Sequence, residues 1–212
     1  STEETFAIIS LGNQTDTDVA VNAAKNAFIK WKETSKEKRI LLLETLLKIY
    51  KKRSNEMSQS ITMEMGSPID YSSSTHTTSG QSHLEDFILR LKKFNFEEHF
   101  DKKSNNYISY EPIGVCGLIT PWNWPINQIS LKVIPALATG CTMILKPSEI
   151  APISAMLFAE MIDEAGFPPG VFNLVNGDGA GVGTDISGHP NIDMVSFTGS
   201  TRAGKLISKN AA

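Results

Sequence analysis

The chain has 212 residues, enough for one domain or two small ones with a proper core. Hydrophobic residues make up 41% and charged residues 20%, the ordinary balance of a soluble globular protein. Twenty basic against 23 acidic side chains leave a net charge of -3, which argues against a nucleic-acid-binding protein. No apolar run is long enough to span a bilayer, and the acidic opening Ser1-Thr2-Glu3-Glu4 is the opposite of a secretory leader. Two cysteines, Cys116 and Cys141, make no disulfide framework and favour a reducing, cytoplasmic setting. The four histidines (His76, His83, His99, His189) lack metal-site spacing, so no metal is expected.

The first half reads as helical. Thr15-x-x-Asp18 can cap a helix that carries Val21, Ala24, Phe28 and Trp31 on one face. A second helix over 35–53 aligns Ile40, Leu43, Leu47 and Tyr50, and a third over 55–65 aligns Met57, Ile61 and Met65. Gly66 and Pro68 stop the third. Residues 71–81 are rich in Ser and Thr, and an amphipathic stretch follows through Phe87, Leu91 and Phe94. These stripes predict helix packing, and no chemistry is visible before Asn105.

From Tyr107 the pattern changes to short apolar runs at 115–119, 142–145, 171–175 and 194–197, separated by helical stretches at 126–138, 152–165 and 181–187. Pro152 suits a first turn, Gly166 closes its helix, and Pro135 is expected to kink or end the helix that contains it. Strands alternating with helices imply an α/β fold: a Rossmann-like parallel sheet with flanking helices, preceded by an N-terminal helical region. The expected division is residues 1–106 packing on a cofactor-binding region at 107–212. Ligands of such a sheet sit at the carboxyl ends of its strands.

Unusual residues stand at those ends. Thr120-Pro121-Trp122-Asn123-Trp124-Pro125 follows the first run; its prolines stiffen the loop and its tryptophans are expected to anchor it. A loop-capping role and an oxyanion donor are both open to Asn123. Lys146-Pro147-Ser148-Glu149 follows the second run, and Glu149 has the station of an acidic residue that accepts from the adenosine ribose. The third run leads into a glycine-rich segment, 176–183, that does not meet G-x-G-x-x-G. After the fourth, Thr198-Gly199-Ser200-Thr201 opens a helix, suited to a phosphate and equally to an ordinary cap.

The runs Glu111-Pro-Ile-Gly-Val-Cys-Gly-Leu-Ile-Thr-Pro-Trp-Asn-Trp-Pro125, Pro135-Ala-Leu-Ala-Thr-Gly140, Lys146-Pro-Ser-Glu149, Glu164-Ala-Gly-Phe-Pro-Pro-Gly-Val171 and Phe197-Thr-Gly-Ser-Thr201 occur in that order. In this the chain resembles the NAD(P)-dependent aldehyde dehydrogenase superfamily. The resemblance implies that Asn123 donates to the aldehyde oxygen as it becomes a tetrahedral oxyanion. It places Ile119, Thr120, Pro121 and Trp122 along the cofactor, and Lys146 and Glu149 on the adenosine ribose, with Ser148 beside them. Gly179 and Gly183 match the adenine and ribose edge, and Phe197, Thr198, Gly199 and Ser200 the pyrophosphate segment. The cofactor expected is NAD, with NADP possible, and the substrate a small-molecule aldehyde.

The family's cysteine nucleophile and glutamate base belong to Gly-Gln-x-Cys and Glu-Leu-Gly-Gly segments, and neither string occurs in the 212 residues. Both are expected beyond Ala212, and a strand pair before Ser1. Cys116 and Cys141 read as small core hydrophobes instead. Residues 102–111 resemble a strand used in family assembly, so a homo-oligomer is expected at full length. Two other readings accompany oxidation: a non-catalytic nucleotide-binding or assembly module, and a CoA-acylating or acyl-phosphate reductase of the same superfamily.

Overall fold

The computed structural model describes residues 4–101 and 105–212. The start of the acidic opening and residues 102–104 of the expected assembly strand lie outside the described residues.

Helix α1 (Gln14–Trp31) starts from Asn13, whose side chain accepts from the Thr15 and Asp16 amides. The Asp16 carboxylate in turn accepts the Asn13 N–H at 2.9 Å, completing a capping box. This replaces the Thr15-x-x-Asp18 cap expected from the sequence. Gly12 explains the choice: its N–H bonds the Asn176 carbonyl at 2.7 Å, which fixes extended chain just before Asn13.

Helix α2 (Lys36–Lys52) is capped by Ser35, and α3 (Ser54–Met65) ends on Gly66 at φ 76°, the left-handed position that favours glycine. A single turn, α4 (Ile69–Tyr71), leads into a π-helical turn, Ser72–Thr77, and then α5 (Thr78–Lys93). Ser73, Ser74, Thr78 and Ser79 return their hydroxyls to carbonyls three or four residues back, which lets a Ser/Thr-rich segment stay helical.

Two short antiparallel strands follow, β1 (Glu97–His99) and β2 (Tyr107–Ser109). The main sheet is parallel and comprises β3 (Val115–Ile119), β4 (Thr142–Lys146), β5 (Phe172–Leu174) and β6 (Met194–Phe197), in the order β5-β4-β3-β6. Helices α6 (Pro125–Thr139), α7 (Ile153–Glu164) and α8 (Val182–Gly188) connect its strands, and α9 (Thr201–Asn210) follows the last. Helix α6 does not end at Pro135 but runs on to Thr139. The carbonyl that a proline there leaves without a helical partner belongs to Leu131, which is exposed, while Ile126, Ile129, Val133, Ile134 and Leu137 are fully buried and hold the helix down.

Each strand divides its side chains between the two sheet faces. Val115, Ile119 and Ile144 pack with Ala20, Val21 and Ala24 of α1 and with Val182 and Ile186 of α8. Cys116, Leu118, Met143 and Leu145 face the larger cluster formed with α2, α3, α5, α6 and α7. Tyr50 and Phe158 are fully buried there, ring edge to ring face at 6.2 Å, and Tyr50 donates to the Thr77 carbonyl at 2.8 Å. The helical region and the sheet thus share their cores, and both faces of the sheet are covered.

Candidate cofactor and substrate site

The parallel pairing brings the carboxyl ends of β3, β4 and β6 side by side. The Thr120 amide bonds the Lys146 carbonyl at 3.2 Å, and the Thr198 amide bonds the Ile119 carbonyl at 3.1 Å. A cleft of about 590 Å³ opens there between α8 and α9. Five expected site residues line it: Ile119, Gly179, Gly183, Phe197 and Ser200. A methyl at Gly179 would meet nothing within 4 Å, and one at Gly183 would point between the Asp178 carbonyl (3.5 Å) and the Lys146 stem (3.9 Å). A side chain at Gly199 would overlap the Phe197 ring. Ser200 caps α9 through the Ala203 amide at 3.2 Å.

Sequence reading missed the other wall of the cleft, Arg202, Ala203, Leu206 and Ile207 of α9. The signal was available: from the Ser200 cap these positions recur at helical spacing, and α9 buries none of its residues.

Lys146 is only 3% exposed, and its Nζ donates to the Pro147 carbonyl at 2.9 Å and to Glu149 at 3.1 Å. Among the described residues Nζ makes no other hydrogen bond, which leaves one donor position for another acceptor. Glu149 is held by one carboxylate oxygen while its side chain remains 41% exposed. Ser148, also buried, accepts the Ile150 amide at 3.3 Å and shapes the turn between them.

The loop after β3 differs from its expected form. Trp122 is 46% exposed. Trp124 does the anchoring, packed edge-on against His76 of the π-helical turn at 5.4 Å. Pro125 then opens α6 at its first turn. Between the tryptophans Asn123 is exposed and makes no hydrogen bond among the described residues. Its amide is therefore available to a ligand rather than spent on a loop cap. Thr120, two residues after Leu118, is 3% exposed and its Oγ1 has no partner. Neither Asn123 nor Pro121 lines the α8–α9 cleft.

Cys116 and Cys141 are 0% and 4% exposed and belong to the apolar core. The hydrogen bond from Cys116 to Cys141, together with burial, holds the Cys116 thiol far above its ordinary range. The same bond pulls Cys141 down to about 6, with Thr139 Oγ1 3.5 Å away and burial opposing. The two directions describe one S–H···S contact closed off from any substrate.

Glu64, at the end of α3, was also missed. Its carboxylate accepts the Ile153 amide at 2.5 Å, the Ser154 amide at 3.2 Å and the Ser154 hydroxyl. Burial pushes this carboxyl above its usual range, against the pull of those donors. Among the described residues no group of His, Cys, Asp or Glu could hold a metal, and no helix is long and apolar enough to cross a membrane.

A family model described as the aldehyde dehydrogenase family matches residues 1–212. A curated relative, 3-succinoylsemialdehyde-pyridine dehydrogenase from a Pseudomonas species, is 51% identical over 100% of this chain and 44% of its own length. The crystal structure of an aldehyde dehydrogenase from Bartonella henselae is 59% identical, with a TM-score of 0.98 over 100% of this chain and 44% of that one. A mutant aldehyde dehydrogenase C from Pseudomonas syringae, complexed with NAD+ and octanal, is 45% identical with a TM-score of 0.96, over 99% of this chain and 43% of its own. The chain thus spans less than half the length of each of these three proteins. Matched over its whole length in sequence and superposable in fold, the chain belongs to the aldehyde dehydrogenase family.

Proposed function

We propose that the full-length protein oxidises an aldehyde to a carboxylic acid with NAD as hydride acceptor, and that this chain supplies the dinucleotide site and the oxyanion donor. The observation that carries the reading is the meeting of strand-end residues around one cleft, with a buried lysine and a half-exposed glutamate at its side. The same station on a parallel sheet is where dinucleotides bind. The NAD+ complexes of the relatives support the cofactor, and the octanal complex supports the substrate class.

The residues fit the cofactor. Glu149 accepts from the adenosine ribose, and Lys146, with a hydrogen to spare, donates to the same sugar; Ser148 shapes the turn between them. Gly179 and Gly183 leave the adenine and ribose edge open, and α9 offers Leu206 as an apolar surface. Phe197, Thr198, Gly199 and Ser200 bring the start of α9 to the pyrophosphate. Ile119, Thr120, Pro121 and Trp122 run alongside, with the Thr120 hydroxyl as an uncommitted polar group. When bound, the nicotinamide supplies the hydride acceptor.

Asn123 acts on the substrate. A carbonyl under nucleophilic attack gathers negative charge on its oxygen, and a fixed amide N–H aimed there stabilises that charge more than it stabilises the ground state. The prolines around Asn123 and the Trp124–His76 packing hold its backbone in place before the reaction. Residues 107–212 carry these groups, while residues 1–106 buttress them.

The test is turnover by the full-length protein with a panel of aldehydes, following reduced nicotinamide and identifying the product. One carboxylate and one NADH per aldehyde is expected. An acyl-CoA or acyl-phosphate product marks the reductase branch of the superfamily, and no turnover with any aldehyde marks a non-catalytic module. The same assay carries a cofactor prediction. The Lys146 bond holds Glu149 in place, where its charge opposes the 2′-phosphate of NADP. NAD is expected to exceed NADP in kcat/KM by about tenfold or more; NADP preference would show that Glu149 does not face the ribose.

A further inference from the structure

The loop that carries Lys146, Ser148 and Glu149 leads directly into α7, and the start of α7 is unusual. Its N-cap is Pro152, which has no side-chain acceptor for the first free amides of the helix and makes no capping bond. Those amides are nevertheless satisfied. Glu64, 89 residues earlier in the chain, takes the Ile153 N–H at 2.5 Å and the Ser154 N–H at 3.2 Å, and its other oxygen accepts the Ser154 hydroxyl. A part-buried carboxyl group supplied from another helix thus does the work of the missing cap, its oxygens accepting at the positive end of the α7 dipole.

The position of this clamp matters more than its strength. Only Ile150, Ala151 and Pro152 separate Glu149 from the first clamped amide. On its other side the loop is fixed by β4 and by the Ser148–Ala151 turn, whose Ala151 amide bonds the Ser148 carbonyl at 3.2 Å. With α7 held at Ile153 the loop is pinned at both ends, and the Glu149 carboxylate stays within reach of Lys146. Helix α3 has a second tie to α7 at the opposite end, where Arg53 meets Glu160 at 2.8 Å and Glu164 at 3.7 Å. That tie leaves the loop untouched.

We propose that Glu64 is a positioning residue for the adenosine site: by capping α7 in place of Pro152, it fixes the loop that presents Lys146 and Glu149 to the ribose. The inference rests on the reading that those two residues hold the cofactor ribose. It gives the helical region a direct part in cofactor binding, through a side chain that touches no ligand.

NAD affinity of the full-length protein, measured by calorimetry, tests it. Glu64→Ala is expected to weaken NAD about tenfold, as loss of an orienting partner does at other sites. Glu64→Gln keeps an acceptor oxygen and is expected to retain most of the affinity. Arg53→Ala, which breaks the far tie and the Arg53–Glu56 pair but leaves the Glu64 clamp intact, is expected to lower thermal stability and leave the affinity unchanged. Because Glu64 acts through Glu149, the losses must not multiply: Glu64→Ala with Glu149→Ala binds no more weakly than Glu149→Ala alone. Should Glu64→Ala fail to fold, Ser154→Ala removes one bond of the clamp and is expected to show a smaller loss with the same non-additivity. Wild-type affinity in Glu64→Ala, multiplying losses, or an equal loss in Arg53→Ala overturns the proposal. If Glu149→Ala itself binds NAD like the wild type, the ribose reading fails first, and the inference falls with it.

Discussion

Alanine in place of Asn123 in the full-length protein is expected to lower kcat by about 10²–10³, the usual cost of losing one oxyanion donor. NAD affinity is expected to stay within about twofold, because Asn123 is not among the residues that line the α8–α9 cleft. The fold is also expected to survive, since the exposed amide makes no hydrogen bond whose loss would loosen the loop. The three expectations together separate a group that acts on the transition state from one that shapes the site. Single-turnover rates, NAD titration and a thermal melt on one preparation measure all three. A variant with near-normal kcat removes Asn123 from the mechanism, and a large fall in melting temperature converts it to a structural residue.

The second large effect concerns the two cysteines. The 212 residues by themselves are expected to form no NADH from any aldehyde, because aldehyde oxidation through a thioester needs an accessible thiolate and a general base at the reacting carbon. Both thiols lie in the apolar core, with 4% exposure or less for either. A lowered pKa gives no reactivity where no electrophile can enter. Iodoacetamide is expected to label neither cysteine in the folded chain and both in denaturant. In the full-length protein, Cys116→Ser and Cys141→Ser are expected to keep turnover, apart from any loss of stability from placing hydroxyls in the core. Aldehyde-dependent NADH formation by the isolated chain, abolished by either substitution, would reverse this account.

Much of the fold was legible because its signals are local. Strands buried on both faces leave short continuous apolar runs, as β3 does, and the partly covered β6 also falls where its apolar run stands. Gly66 and Gly166 closed helices as glycine in the left-handed region does, at φ 76° and 82°. What failed were competitions that sequence spacing cannot referee. Asn13 and Thr15 both offer caps, and a hydrogen bond from Gly12 to a residue 164 positions away decides between them. Pro135 has the signature of a helix break, but the apolar face of α6 outweighs one missing bond. Trp122 and Trp124 look alike as anchors; Trp122 is 46% exposed, whereas Trp124 meets His76 on a π-helical turn that a Ser/Thr-rich stretch does not announce.

The site divides in the same way. Glycines, Lys146 and Glu149 stand at strand ends, which a parallel sheet sets on one edge; Gly179 and Gly183 line the cleft, and Lys146 meets Glu149 beside it. The role of Glu64 was not legible in the sequence. Its partners lie 89 and 90 residues away, and the Glu64-Met-Gly-Ser-Pro68 helix end, which resembles the family's, says nothing of what the carboxylate meets. Pro152 was the available hint, a helix start with no cap of its own.

The most direct test of the account is a crystal structure of the full-length protein with NAD. The account predicts the adenosine ribose within hydrogen-bond distance of Glu149 and the Lys146 ammonium. It places the adenine in the cleft between α8 and α9, against Leu206. A dinucleotide seated elsewhere on the sheet, or one whose ribose contacts neither Lys146 nor Glu149, contradicts it.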